Sequence, residues 1–394
     1  MEYARRSMQR LGFLKWVLSL ASTSRVQNLE ALTRAFYTAV TKEVSIPADS
    51  RVAFEAYAQQ REQRTQDTNS AQIQDLYLAD PLMPSHSGAI TGDLERVGYR
   101  HAVYVEIPTW AARLRLLREQ NYTLTDRGRV LLLVGTSKSD ESPPSAPSNP
   151  LLLNLPERYV SLYCLLDADG DFLSVMYRRL LSVQTFTRAD AGQAALDALE
   201  ELRDTRLKHP SAGRSVELRA KMDKTIAAVK NQRQGGLGPK ESIATPRAEP
   251  LVDCGILYKP HPDKYEYSFT DWGKTFLSVL CSTASISDFL ENRLSSAVAS
   301  YSGQQLSSTP PLLQIVERPY AQLRSGLGYV SLRELALLSI AQLLYSPDRQ
   351  LYEITNIETV LKLAAAEGTR SVRLALGRTG GIAQVRIDKR AFGS

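Results

Sequence analysis

Tyr122 to Leu132 reads YTLTDRGRVLL, and Tyr267 to Leu277 reads YSFTDWGKTFL. Both follow the pattern Tyr-x-(Leu/Phe)-Thr-Asp-x-Gly-(Arg/Lys)-x-(Leu/Phe)-Leu. Each residue type in it has a local physical use. Tyr267 to Phe269 alternates apolar and polar positions, as a half-buried strand does. Thr270 stops the strand and caps a helix, because its hydroxyl accepts a backbone N–H from the first turn. Asp271 complements the positive end of that helix. Gly273 lets the first turn approach another backbone, and Phe276, Leu277 and Leu280 then face inward. Thr125 and Gly128 repeat these roles in the first copy. The motif is therefore a strand feeding a capped helix. Before the second copy, Cys254 to Tyr258 is β-prone and Lys259 to Asp263, with two prolines, reads as a turn, so a hairpin precedes the helix.

The rest of the chain is organised around these two points. Residues 8 to 43 read as helical with a break near Ser22–Ser24; Met8, Leu11, Leu14 and Leu18 recur at helical spacing. Arg5, Arg6 and Arg10 before LGFLKWVLSLA imitate a secretory leader. Lys15 interrupts the apolar run, however, which is too short for a span of about 20 residues. Residues 61 to 72 form a polar, solvated stretch. Ile107-Pro108-Thr109 opens a short helix, WAARLRLLRE, with Thr109 as its N-cap. TSKSDESPPSAPSN, 136 to 149, has the composition of a linker. Leu151 to Leu181 reads as two apolar helices around the turn Asp167-Ala168-Asp169-Gly170-Asp171. Helices follow at 189 to 203 and 214 to 232, the latter ending in a flexible basic loop, NQRQGGLGPK. Residues 312 to 327 read as a connector with little regular structure. LRELALLSIAQLL and IETVLKLAAAEG are helices, and SVRLALGRTGGIAQVRI is two strands around a glycine-rich turn.

The expected fold class is mainly α with small β-hairpins (α+β), in several domains. Their bounds are an N-terminal helical region with the first motif, 1–135; the linker, 136–149; a helical connector, 150–213; the second motif unit, 214–300; and a helix-helix-hairpin unit, 301–394.

The repeated stretch resembles the wing and following helix of winged helix-turn-helix domains, many microbial members of which read Tyr-x-Leu-Thr-x-x-Gly-(Arg/Lys)-x-Leu there. The resemblance covers 85 to 135 and 215 to 285, under a third of the chain. It implies tandem winged-helix units, with the final unit a third, similar module. Only Glu119 to Asn121 separate helix from strand in the first copy, so its wing is short. Pro246 and Pro250 interrupt the helix expected before the second wing.

A winged helix usually sets the helix before the wing in the major groove and brings the wing tip to the backbone or minor groove. The resemblance therefore implies duplex DNA as partner. On WAARLRLLRE, Trp110, Leu114 and Leu117 share one face, while Arg113, Arg115 and Arg118 point elsewhere and are candidate DNA contacts. Arg127 and Arg129, at the start of the next helix, could meet phosphates. In the second unit the candidates are Arg247, Lys259 and Lys264 at the turn, and Lys274. Residues 201 to 240 hold ten lysines and arginines against four carboxylates. That excess equals the net charge of the whole chain, +6, and Arg219, Lys221, Lys224, Lys230 and Arg233 complete the candidate set.

Other chemistries are not expected. Three distant cysteines read as buried thiols in a reducing compartment. Four scattered histidines and no Cys-x-x-Cys give no metal site, and no cofactor is expected. DADGD lacks the glycine and glutamate spacing of a calcium loop: Phe172 and Arg178 stand there. GGLGPKES is not a phosphate cradle, and no catalytic triad or nuclease motif occurs. The leading expectation is a cytoplasmic, non-enzymatic DNA-binding protein, an accessory factor or regulator of a prokaryotic-type DNA-processing or defence system. The alternatives are a protein-interaction scaffold, with winged helices as binding modules for other subunits, and a plasmid-type replication initiator.

Overall fold

The computed structural model describes residues 11–23, 101–136, 153–207, 239–260, 266–324, 328–367, 372–376 and 382–388, with isolated positions at 326 and within 28–39 and 220–230. Met8, the polar stretch at 61–72, the linker from 137 on, the basic loop at 231–238 and the turn between the last two strands lie outside the described residues.

The helices are α1 (Gly12–Thr23), α2 (His101–Arg113), α3 (Asp126–Thr136), α4 (Leu155–Leu180), α5 (Arg188–Leu207), α6 (Pro239–Asp253), α7 (Asp271–Ser282), α8 (Ile286–Asn292), α9 (Leu294–Ser302), α10 (Leu312–Leu323), α11 (Leu332–Leu343) and α12 (Ile354–Ala366). The strands are β1 (Thr185–Thr187), β2 (Leu257–Tyr258), β3 (Glu266–Phe269), β4 (Val330–Ser331), β5 (Val372–Leu376) and β6 (Ile382–Ile387). Among the described residues the chain is thus mainly helical with two small antiparallel sheets, as its patterning predicts.

The repeated motif builds the same device twice. Thr125 Oγ1 accepts the Gly128 N–H at 3.0 Å, and Thr270 Oγ1 accepts the Gly273 N–H at 2.8 Å. Each hydroxyl also donates backwards, Thr125 to the Arg115 carbonyl at 2.6 Å and Thr270 to the Gly255 carbonyl at 2.9 Å. Each threonine N–H bonds the next carbonyl, Leu116 or Ile256, at 3.1 Å. A Cβ on Gly128 would lie 2.0 Å from the Leu116 oxygen, and one on Gly273 would lie 1.9 Å from the Ile256 oxygen. Threonine and glycine recur because one caps the helix and the other admits the carbonyl that the cap holds. In the first copy Leu117 and Leu124 make a single antiparallel bridge where the second copy has the β2–β3 hairpin.

The residue that ends the helix before each hairpin is left-handed: Arg115 at φ 60° and Gly255 at φ 79°. A side chain in that region costs roughly 1 kcal/mol relative to glycine. The Arg115 guanidinium recovers part of this by reaching Asp167 at 3.2 Å, but its side chain is 69% exposed, where ion pairs contribute little. Arg115→Gly is therefore expected to raise stability by up to about 1 kcal/mol in urea denaturation, and a clear loss would contradict this balance.

The two sheets share one plan. In the first, β1 pairs with β3 and β3 with β2; in the second, β4 pairs with β6 and β6 with β5. Each first strand leads into a helix, further helical chain and a hairpin whose second strand returns beside the first. Phe186 on β1 stacks on Tyr267 at 5.5 Å and meets Phe269 at 5.3 Å, fixing β1 to β3. Thus the stretch 150–213, read as a connector, gives β1 to the sheet of the second motif, and its α5 packs along α6.

Four local readings are corrected. Thr109 is not an N-cap: α2 begins at His101 and runs through Pro108 to Arg113. Arg115 and Arg118 consequently lie in the turn beyond that helix. Pro246 and Pro250 do not interrupt the helix before the second wing, since α6 runs through both. Residues 312–323 form α10, with Pro319 inside, where a connector was expected. In α2, α6 and α10 a buried apolar surface outweighs the hydrogen bond that each proline removes.

α4 begins with a capping box, in which Asn154 accepts the Glu157 N–H and Glu157 accepts that of Asn154. It leaves helical geometry at Asp169 (φ −144°, ψ 17°), within the acidic turn expected between two helices.

Candidate nucleic-acid interface

Fourteen basic side chains were candidates, and the fold divides them. Arg219, Lys221, Arg233 and Lys264 lie outside the described residues. Arg118 is exposed in the short turn, where its backbone bonds Thr123 and Tyr122. Arg115, beside it, is the exposed partner of Asp167. Arg113 ends α2 half-buried, and Lys274 sits half-buried in the first turn of α7. Lys224 is exposed, whereas Lys230 pairs with Glu200 at 2.5 Å.

The remaining four are committed to the interior or to backbone. Arg127 is buried, 2.5 Å from Asp167 and 3.4 Å from Glu334, with its guanidinium 5.1 Å from the centre of the Tyr163 ring. Burial opposes its charge, but the neighbouring Cys164, Asp167 and Glu334 outweigh this and hold its pKa above the ordinary arginine value. Arg129 donates to the carbonyls of Leu323 at 2.8 Å and Gln322 at 3.0 Å, closing the C-terminal end of α10. Arg247 is 2% exposed, with Nε 2.6 Å from Asp169 Oδ2 and its guanidinium 4.4 Å above the Phe172 ring.

Lys259, expected on an exposed hairpin tip, is 3% exposed. Its Nζ is 3.6 Å from Glu249, which also accepts the Tyr267 hydroxyl at 2.6 Å. Arg127, Arg247 and Lys259 are thereby removed as phosphate contacts, because a buried cation holding a carboxylate cannot also neutralise DNA. The sequence reading missed their partners Asp167, Asp169, Glu249 and Glu334. The signal for two of them was present: the DADGD turn, read as a turn between helices and weighed as a cation loop, is where Arg127 of the first motif copy and Arg247 of the helix before the second converge.

Where their side chains are described, the helices before the two wings are equally enclosed. On α6 every residue from Ala244 to Asp253 is buried. On α2 Ile107, Pro108, Trp110, Ala111 and Ala112 are buried, and Thr109 and Arg113 are half-buried. The helix before the third hairpin, α12, keeps an open side, but Thr359, Leu363 and Ala366 occupy it.

Among the described residues no group of three or more His, Cys, Asp or Glu side chains is placed to hold a metal ion, and no helix is long and apolar enough to cross a membrane. The three cysteines are free thiols, two of them buried, and burial pushes the Cys164 thiol up to about 12. Comparison with family models, curated proteins and solved structures found no match.

Proposed function

We propose that the chain is a non-enzymatic scaffold subunit in which winged-helix units serve as rigid protein-packing and protein-binding modules. The common strand order of the two sheets and the twice-built cap support the winged-helix assignment. The observation that carries the functional reading is the burial of α2 from Ile107 to Ala112, with only Thr109 half-buried, and of α6 from Ala244 to Asp253. A winged helix that reads DNA lays that helix in the major groove, and these stretches are covered by the rest of the chain. The open side of α12 presents Leu363 and Ala366 beside Thr359 and the partly exposed Lys362, an apolar centre with a polar rim that suits a protein surface better than a phosphate backbone.

DNA binding is the second reading. It is favoured by the exposed Arg115 and Arg118 and by the positive excess of residues 201 to 240. Mobility shifts of the full chain with random duplex and single-stranded DNA at several salt concentrations separate the two. For a scaffold, any DNA affinity is weak and does not change when Arg115→Gly is combined with Arg118→Ala. For a DNA-binding protein, log K falls linearly with log salt, and each phosphate contact removed lowers the slope by about 0.9 on duplex. That second outcome would replace the scaffold reading.

A further inference from the structure

We propose that β5 is a self-association strand, which pairs antiparallel with β5 of a second copy of this chain about a two-fold axis at Leu374. The inference goes beyond the scaffold reading and stands without it. In the order β4-β6-β5, β5 has β6 on one side and, among the described residues, no strand on the other. An unpaired edge offers a row of N–H and C=O groups to any extended chain, and folded proteins usually blunt it with charged side chains, proline or a bulge. VRLAL has no proline and a single charge, the exposed Arg373. The register shift near its end skips a residue on β6, so β5 keeps its alternation.

The side chains say what the edge is suited to. Val372, Leu374 and Leu376 lie on one face. Val372 is buried and Leu374 half-buried over the core, but Leu376 is 72% exposed. The helix packed on β5 is α12, and its Leu363 is 55% exposed. These are the two most exposed large hydrophobic side chains of the described residues. The apolar stripe therefore runs past the cover its own unit provides.

The strand is also complementary to itself. Antiparallel pairing centred on Leu374 sets Leu374 opposite its own copy, Arg373 opposite Ala375 and Val372 opposite Leu376. The exposed leucine of each copy then lies beside the valine of the other, and the single charge of the strand faces a methyl group. A slip that centres the pairing on Arg373 would oppose two guanidinium groups, which is unfavourable. Such a two-fold contact closes on itself, and each copy covers the other's edge.

Sedimentation equilibrium of the full chain up to about 100 µM tests this. The expected result is a reversible dimer. Leu376→Asp, at a site exposed in the monomer, should weaken it at least about tenfold while leaving the circular dichroism unchanged. The register is read separately: under mild oxidation Leu374→Cys should form an intermolecular disulfide beyond the wild-type background, and Arg373→Cys should not. A chain that stays monomeric at about 100 µM overturns the proposal. So does a dimer indifferent to Leu376→Asp, or equal cross-linking at 373 and 374. A monomer that captures an extended peptide from another protein would likewise make the edge a site for that partner and not for a second copy.

Discussion

Gly273→Ala is expected to destabilise the protein by at least about 3 kcal/mol, the upper part of the range for forced overpacking. Elsewhere in a helix the same change gains about 0.5–1 kcal/mol, so the sign alone is diagnostic. The added methyl carbon would stand 1.9 Å from the Ile256 oxygen, 2.7 Å from its carbon and 2.9 Å from Thr270 Oγ1. None of these is the end of a flexible side chain that could swing away. The Ile256 carbonyl accepts the Thr270 N–H at 3.1 Å, beside the Gly255 carbonyl that accepts the Thr270 hydroxyl at 2.9 Å. Moving it aside breaks the link between hairpin and helix cap together. Gly128→Ala meets the Leu116 carbonyl in the same way at 2.0 Å. Urea denaturation followed by circular dichroism measures both, and a neutral or stabilising result at either site would refute this account of the repeat.

Arg247→Met should cost about 3–5 kcal/mol, because it leaves the Asp169 carboxylate buried without its guanidinium. Both side chains are 2% exposed and 2.6 Å apart. The guanidinium also donates to the Ile243 carbonyl at 2.9 Å and covers the Phe172 ring, so methionine replaces the packing but none of the polar contacts. The diagnostic step is the double change. Adding Asp169→Asn removes the buried charge and should restore more than half of the loss, since a buried pair contributes far less than the penalty of breaking it. If the two losses simply add, the pair is not the cause. Arg247→Lys should not rescue, because an ammonium cannot hold the carboxylate and lie flat on the ring as well.

The cap and glycine of the repeated motif were legible because their chemistry is local. Thr270 and Gly273 are three residues apart, and each has few alternative uses in that order. The hairpin at 372–387 and the helices at 332–343 and 354–366 were legible for the same reason, as uninterrupted periodic runs between turn residues. What failed was set by distant chain. Arg127 looks like a solvated helix-start arginine until Glu334, 207 residues later, is brought against it. Lys259 follows a strand and precedes a proline, the usual signs of an exposed tip, yet Glu249 and Tyr267 draw it inside. β1 is three residues long and β4 two, too short to show alternation. Proline misled in three helices, at 108, at 246 and 250, and at 319, because the buried face of each helix outweighs a lost backbone bond.

The acidic turn within α4 has a geometric consequence. Asp167 holds Arg127 of the first motif copy, and two residues on Asp169 holds Arg247, from the helix that leads into the second. Tandem modules joined by a tether ordinarily sample many separations, and what they bind must find them in register. Here the two carboxylates stand two residues apart at the one kink of α4, so both motif units are pinned to the same point of the chain. Their mutual placement is therefore built into the fold and does not wait for a ligand to set it.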